Sequence, residues 1–285
     1  MLEHRRDDGM KYLIFDGNSI FNRAFYGIRQ LTNREGLPTN AIYGFLNIYL
    51  KFVQELSPDY VSVAFDRKGP TFRHEAYDQY KAQRSGMPED MAKQLPILKE
   101  VLAAMQVQML ELDRYEADDI IGTVSALCHN QGVECDIVTG DKDDLQLITD
   151  KVRVQLITTR MGKTDTTVMD EEAFREKYGL EPCRMIDLKA LMGDSSDNIP
   201  GVAGVGEKTA LKLLQTYGSL EEVYRQLEES SERESLKKKL REGREAAFMS
   251  YDLATICKEV PMEIRLEDAK MQPYDQQALR PLLEK

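Results

Sequence analysis

Three short apolar runs in this chain stop at an aspartate. Lys11–Phe15 meets Asp16, Asp59–Phe65 meets Asp66, and Glu134–Thr139 meets Gly140-Asp141. Runs of four to eight residues, rich in Val, Ile and aromatics and too short for a buried helix, predict strands. Val107–Glu111 and Lys151–Ile157 predict two more. Between them, 40–55 sets Ile42, Phe45, Leu46, Tyr49 and Val53 at helical spacing, and 70–105 and 117–130 also read as helical. Strands alternating with helices predict an α/β unit with a largely parallel sheet. From about residue 170 the strand signals stop, and 170–178, 184–192, 206–217, 219–228 and 232–250 read as helices. The expected organisation is an extension over 1–9, an α/β core over 10–170, a helical region over 171–265 and a tail over 266–285 with little pattern.

No apolar run reaches the ~18 residues that a membrane span requires. The charged start, Met1–Gly9, has no apolar segment behind it, so no signal peptide is expected. Cys128, Cys135, Cys183 and Cys257 lack CxxC spacing and predict reduced thiols in a cytoplasmic protein. With 38 basic and 49 acidic residues the net charge is −11, which at first argues against nucleic acid as a partner.

The distribution of the acids changes that argument. Asp16, Asp66, Glu116-Ala-Asp118-Asp119, Asp141-Lys-Asp143-Asp144 and Asp194-Ser-Ser-Asp197 all fall at strand ends or helix starts. Any one cluster could cap a helix or complement its dipole. In a parallel sheet, however, the carboxyl ends of the strands share one edge, where ligands bind. Like charges gathered there repel unless a cation neutralises them. Oxygen donors without His or Cys point to Mg²⁺, with Mn²⁺ as a substitute. The number of carboxylates suits two or three ions, and two metals ~3.5–4 Å apart are a general device for displacement at phosphorus. These acids account for most of the net charge, which leaves the rest of the chain free to carry basic patches.

One such patch is 67–84, where Arg67, Lys68, Arg73, Lys81 and Arg84 outnumber Glu75 and Asp78, with Phe72, Tyr77 and Tyr80 interleaved. Two readings stand: a surface that grips single strands by stacking and charge, or a solvated helix face with its aromatics in the core. A second signal is Ile199-Pro-Gly-Val-Ala-Gly-Val-Gly-Glu-Lys-Thr-Ala210. It is not a Walker A loop, because Glu207 separates Gly206 from Lys208 and no strand precedes it. A helix–hairpin–helix fits better: Gly201, Val202, Gly204, Val205 and Gly206 form a tight turn whose N–H groups meet a DNA phosphate at the next helix start. Lys208, Thr209 and Lys212 would add contacts. The plainer alternative is an ordinary glycine-rich helical turn.

Taken together, the ordered motifs Phe15-Asp16-Gly-Asn, Phe65-Asp66, Phe72-Arg73-His-Glu-Ala-Tyr77-x-x-Tyr80-Lys81-x-x-Arg84, Tyr115-Glu116-Ala-Asp118-Asp119, Thr139-Gly-Asp141-Lys-Asp143 and Gly193-Asp194-x-Ser-Asp197 with the glycine hairpin resemble the 5′-nuclease superfamily, and most closely its bacterial 5′→3′ exonuclease or flap endonuclease domains, as found at the N-terminus of DNA polymerase I. The resemblance spans about 10–265. It implies a PIN-like, Rossmann-like core with a helical arch over about 70–100 and a helix–three-turn–helix region. It implies that Asp16, Asp66, Glu116, Asp118, Asp119, Asp141, Asp143, Asp194 and Asp197 are metal ligands or neighbours of them. Arg73, Lys81 and Arg84 would be catalytic arch residues at the scissile phosphate, with Tyr80 beside the strand. A K⁺ ion at the hairpin is also usual in such proteins. The implied activity is two-metal hydrolysis at 5′ ends and 5′ flaps of duplex DNA and at RNA–DNA primers, in replication and repair. The expected protein is a monomer with a polymerase in cis or in trans. A PIN-type ribonuclease would lack the basic arch and the hairpin, a non-catalytic DNA-structure binder would have lost carboxylates, and a haloacid-dehalogenase-type phosphatase would carry Asp-x-Asp where this chain has Asp16-Gly-Asn18.

Overall fold

The computed structural model describes residues 9–160 and 163–284. The first strand, β1 (Lys11–Asp16), leads into α1 (Gly17–Gly27) and α2 (Asn40–Leu56). β2 (Tyr60–Ala64) is followed by a short α3 (Phe72–Ala76), an irregular stretch and α4 (Glu89–Ala104). β3 (Gln108–Leu110), α5 (Ala117–Gln131) and β4 (Glu134–Thr139) complete the first crossovers. A 3₁₀ turn (Asp143–Leu147) connects β4 to β5 (Val152–Arg160), which pairs with β6 (Lys163–Met169).

The sheet order is β3-β2-β1-β4-β5-β6. β1 to β5 are parallel and β6 is antiparallel to β5. Successive strands first step away from β1 on one side, through β2 to β3. The chain then returns to place β4 on the other side of β1. The strand order therefore reverses between β1 and β4, which opens a crevice at their carboxyl ends. Both faces of the sheet are covered. Tyr12, Ile14 and Ile137 belong to one apolar cluster and Leu13, Phe15 and Val138 to a second, as alternation along a strand requires.

After β6, the described chain is helical: α6 (Glu171–Tyr178), a 3₁₀ turn (Pro182–Arg184), α7 (Met185–Met192), α8 (Glu207–Tyr217), α9 (Leu220–Arg225), α10 (Glu234–Glu242), α11 (Arg244–Ala254), a last 3₁₀ turn (Leu266–Ala269) and α12 (Gln276–Glu284). No helix among the described residues is long and apolar enough to cross a membrane. The expected extension over 1–9 lies, up to Asp8, outside the described residues.

Several elements differ from the sequence reading. α1 was not expected, because Gly-Asn-Ser opens it. Asp16 nevertheless caps it, accepting the Ser19 N–H at 3.0 Å. Gly17 lies so close to β2 that a Cβ there would meet the Phe65 ring at 2.5 Å. β6 is a polar edge strand, Lys-Thr-Asp-Thr-Thr-Val-Met, with no apolar run to announce it. The stretch 232–250 is two helices divided at Gly243. The tail forms α12, whose Leu279 and Leu282 pack on the second apolar cluster. The expected helix over 70–105 is interrupted, since 77–88 makes only turns and irregular backbone.

Candidate active site

A cleft of about 840 Å³ opens at the β1/β4 crevice, and Asp16, Asp66, Glu116, Asp118 and Asp141 line it together with Asn18, Arg23, Lys81 and Arg84. Each acid is held by local structure. Asp16 ends β1, where its carboxylate accepts the Ser19 N–H and the Thr139 hydroxyl at 2.9 Å. The Asp66 N–H is fixed by Asn18 Oδ1 at 2.9 Å, and one Asp66 oxygen accepts the Ala117 N–H at 2.7 Å at the start of α5. Glu116 is the N-cap of α5. Asp141 follows β4, its N–H donating to Thr139 Oγ1 at 2.9 Å. The plain capping role and the clustering thus coexist in the same residues.

Crowding has electrostatic consequences. Burial, and then the charges of Asp66 and Asp141, push the Asp16 carboxyl up to about 7. Desolvation and the neighbouring Asp144, Asp16 and Asp141 push Asp118 well above the usual carboxylate range. One oxygen from each of Asp16, Asp118 and Asp144 lies within 4.8 Å of the others. Neither Asp144 oxygen has a hydrogen-bond partner, although the residue is fully buried. With Asp144 buried and unpartnered and every donor an oxygen, this set fits a hard divalent cation.

Asp143, Asp194 and Asp197 form a neighbouring group with its own cations. Lys189, buried on α7, bridges Asp143 and Asp194, with Nζ 2.7 Å from Asp194 Oδ2. Burial opposes ionisation of Asp194, but Lys189 and Ser196 outweigh it and hold the carboxyl at about 2. Arg84 pairs with Asp197. Lys81 bonds Glu116 at 2.7 Å and lies 3.7 Å from Asp197. The 77–84 segment is folded down onto the loop before the hairpin: the Lys81 N–H donates to Asp197 O at 2.9 Å and Asn198 Nδ2 to Gln79 O at 2.7 Å. Lys81 sits there in the left-handed region, with φ of 53°.

Three expectations need correction. Asp119 does not face the cleft: it is fully buried, accepts two bonds of 2.8 Å from the Arg73 guanidinium, and accepts the N–H groups of Glu116 and Cys257. Arg73 accordingly does not reach toward a phosphate. Its remaining donors go to the carbonyls of Leu253 and Thr255 at 2.9 and 2.7 Å. Tyr80 is not presented for stacking on a strand, being 3% exposed with its hydroxyl donating to Glu116 at 3.0 Å. Each of the three points inward to a partner distant in the chain: Tyr80 from an irregular segment with no period, and Arg73 and Asp119 from helix starts whose inward face is set by the 253–257 strap.

The hairpin over 199–206 turns tightly, with Gly201 and Gly204 at φ of 61° and 76°. A Cβ on Gly201 would lie 2.2 Å from the Gly193 N, so only glycine fits. Val202 and Val205 were expected at a DNA surface, but their side chains are core. Gly206 caps α8 at φ of −96°, an ordinary angle, with open space beside it. Lys208 and Lys212 are exposed on α8, and with Thr209, Ser231 and Arg233 they line a cavity of about 400 Å³.

Three residues at the site, Asn18, Arg23 and Lys189, were not singled out as site residues, and Asp144 was read in an acidic cluster but not as a ligand. Asn18 orients the Asp66 backbone, and Arg23 donates to Gly140 O at 2.9 Å from the cleft wall. Lys189 is signalled by a lone lysine inside the apolar stretch Met-Ile-Asp-Leu-Lys-Ala-Leu-Met. Asp144 adjoins Asp143, but three residues per 3₁₀ turn send the two side chains in different directions.

A mostly parallel sheet with an acid-lined cleft at its switch point, cations on the cleft wall and a glycine hairpin among the following helices defines a metal-dependent nuclease. The family described as "5′-3′ exonuclease, N-terminal resolvase-like domain" matches residues 11–179, and "5′-3′ exonuclease, C-terminal SAM fold" matches 180–277. The chain belongs to the 5′-3′ exonuclease family. It is 44% identical over 274 residues to DNA polymerase I of Caldicellulosiruptor bescii, covering 96% of this chain and 32% of that one. It is also 44% identical to DNA polymerase I of Bacillus subtilis, covering 94% and 30%. The chain therefore spans about a third of the length of these relatives. In fold it is similar to the 5′-exonuclease of bacteriophage T5 with bound zinc ions (TM-score 0.69, 22% identity, 96% and 98% covered). The catalytic core of Rad2 in complex with DNA substrate shares the fold as well (TM-score 0.61, 19% identity, 97% and 87% covered).

Proposed function

We propose that this chain hydrolyses phosphodiester bonds at 5′ ends and 5′ flaps of duplex DNA, and at RNA–DNA primers, in replication and repair in the cytoplasm. The observation that carries the reading is the convergence of Asp16, Asp66, Glu116, Asp118 and Asp141 from separate segments on one cleft walled by Lys81 and Arg84. In this reading the core over 10–170 cuts and the helical region over 171–265 holds the duplex, as a monomer that works with a polymerase in cis or in trans.

Asp16, Asp66, Asp118 and Asp141 would hold Mg²⁺, or Mn²⁺ in its place, which supplies Lewis-acid stabilisation of phosphate charge and lowers the pKa of water for attack. Lys81 and Arg84 exchange Glu116 and Asp197 for the substrate phosphate and neutralise the charge that grows on its oxygens during in-line displacement. No histidine is required as base. The α8 start, with Gly204, Gly206, Lys208, Thr209 and Lys212, takes a duplex phosphate without reading bases, and a K⁺ ion at the hairpin carbonyls would support it.

Cleavage of an end-labelled 5′-flap duplex with and without Mg²⁺ tests the reading, using Asp141→Ala as the site variant. Loss of a cleft carboxylate should abolish cleavage while flap affinity stays within a few-fold. Retention of more than about a tenth of wild-type turnover in Mg²⁺ would overturn it.

A further inference from the structure

Asp144 lies behind the cleft wall, on the 3₁₀ turn after β4, and is not among the carboxylates that line the cleft. It is fully buried, and both of its oxygens lack a donor. The Thr139 hydroxyl is near enough to act on Asp144, but its single proton is directed at Asp16 Oδ2 at 2.9 Å and cannot satisfy both carboxylates. The cations at the site face other groups: Lys189 faces Asp143 and Asp194, Lys81 Glu116, Arg84 Asp197, and Arg23 the Gly140 carbonyl and the charges of Asp141 and Asp16. A buried acid without donor or counter-ion is a poor structural element, because an apolar side chain of similar size would fill the space without the desolvation penalty. Its neighbours make sense of it. One of its oxygens and one each from Asp16 and Asp118 lie within 4.8 Å of one another, close enough to share one ion.

We propose that Asp144 completes a cation subsite with Asp16 and Asp118 on the inner side of the cleft, behind the more exposed carboxylates Asp66 and Asp141. Three carboxylate donors and no nitrogen or sulfur select a hard divalent ion, Mg²⁺ or Mn²⁺. The subsite extends the metal-dependent reading above and rests on it. The buried Asp144 gives it a distinct property: with three carboxylate donors, one of them withdrawn from water, it is the tightest cation position at the site and fills before the outer ones.

Mn²⁺ alone is the probe, titrated calorimetrically into the metal-stripped full chain, with Asp144→Asn and Asp144→Leu beside the wild type. The tightest Mn²⁺ binding should weaken at least ten-fold in both variants, while weaker binding by the outer carboxylates persists. Thermal unfolding supplies a second readout. In EDTA both variants should melt at or above the wild-type temperature, since a buried uncompensated acid has been removed, and in Mn²⁺ both should lose most of the rise that the wild type shows. Unchanged tight binding, or melting below wild type in EDTA, would overturn the subsite, the latter by showing that the carboxyl is bonded within the fold. Unchanged Mn²⁺ affinity with flap cleavage still Mg²⁺-dependent would remove only this inference. Failure of the wild type to bind Mn²⁺ at all would remove the nuclease reading with it.

Discussion

Lys189 shows how much of this site is set by single buried charges. Its ammonium holds Asp143 and Asp194 together inside the fold. Removing one partner of a buried pair leaves an uncompensated charge, so Lys189→Met should destabilise the protein by about 3–5 kcal/mol at neutral pH. The Asp194 carboxyl is depressed to about 2, so its share of stability is present above the ordinary carboxylate pKa and is lost as the pH falls through that value. Denaturant titrations of wild type and variant should therefore converge toward pH 2, and a constant gap would refute the pairing. Lys81 and Arg84 make a different prediction. They have carboxylate partners before substrate arrives, so their gain is realised mainly as phosphate charge develops. Lys81→Ala or Arg84→Ala should lower the single-turnover rate far more than the flap affinity, and equal losses would mark them as simple anchors. The sequence showed which acids meet at one cleft wherever a strand end fixes the direction, as at Asp16, Asp66 and Asp141. It could not show that Arg73, Asp119 and Tyr80 turn inward, because their partners lie 36 to 182 residues away in the chain.

At the level of elements, the hairpin separates conformation from contact. Gly204 sits at φ of 76°, where a β-branched side chain is strained, whereas Gly206 has an ordinary backbone angle and open space. Gly204→Val should destabilise the fold by about 1–3 kcal/mol. Gly206→Val should leave stability within about 0.5 kcal/mol and still weaken binding to duplex-containing substrates of every sequence, since a side chain there screens the α8 start. Lys208→Glu should flatten the salt dependence of flap affinity by ~0.9, with cleavage of a short single strand nearly unchanged. If flap and single-strand substrates suffer equally, the hairpin serves folding alone. Elements with strong periodicity were readable from the sequence, such as α2, α5 and β4. Those stabilised by long-range context were not: α1 begins on Gly-Asn-Ser but is capped by Asp16, β6 is polar and held by β5, and the 77–88 stretch is fixed by its docking on the Asp194–Asn198 loop.

For the whole molecule, the carboxylate crowd sets a pH dependence that is opposite in sign to that of a paired acid. Asp16 has its carboxyl raised to about 7 in the folded protein. A raised acid favours the folded state at low pH, and that advantage is lost as the pH climbs through 7. In EDTA the melting temperature should fall between pH 5 and pH 8. Added Mg²⁺ should raise it much more at pH 8 than at pH 5, because only ionised carboxylates bind the ion; an equal rise at both would argue against the acids as ligands. The Arg73–Asp119 clamp has a different kind of consequence. One guanidinium joins α3, the start of α5 and the carbonyls of Leu253 and Thr255, and the strap after α11 adds Cys257 N–H to Asp119, Ile256 N–H to Gln146 and Val260 N–H to Thr123. The two family-matched stretches, 11–179 and 180–277, are therefore not interchangeable modules. The second supplies the tie that closes the floor of the first. A gene cut between them would yield a sheet with the cleft carboxylates of β1 and β4 intact and α5 still tied to Asp66 and Arg73 but stripped of the 253–260 strap, so recombination at that seam is a poor route to new nucleases even where the sequence boundary looks clean.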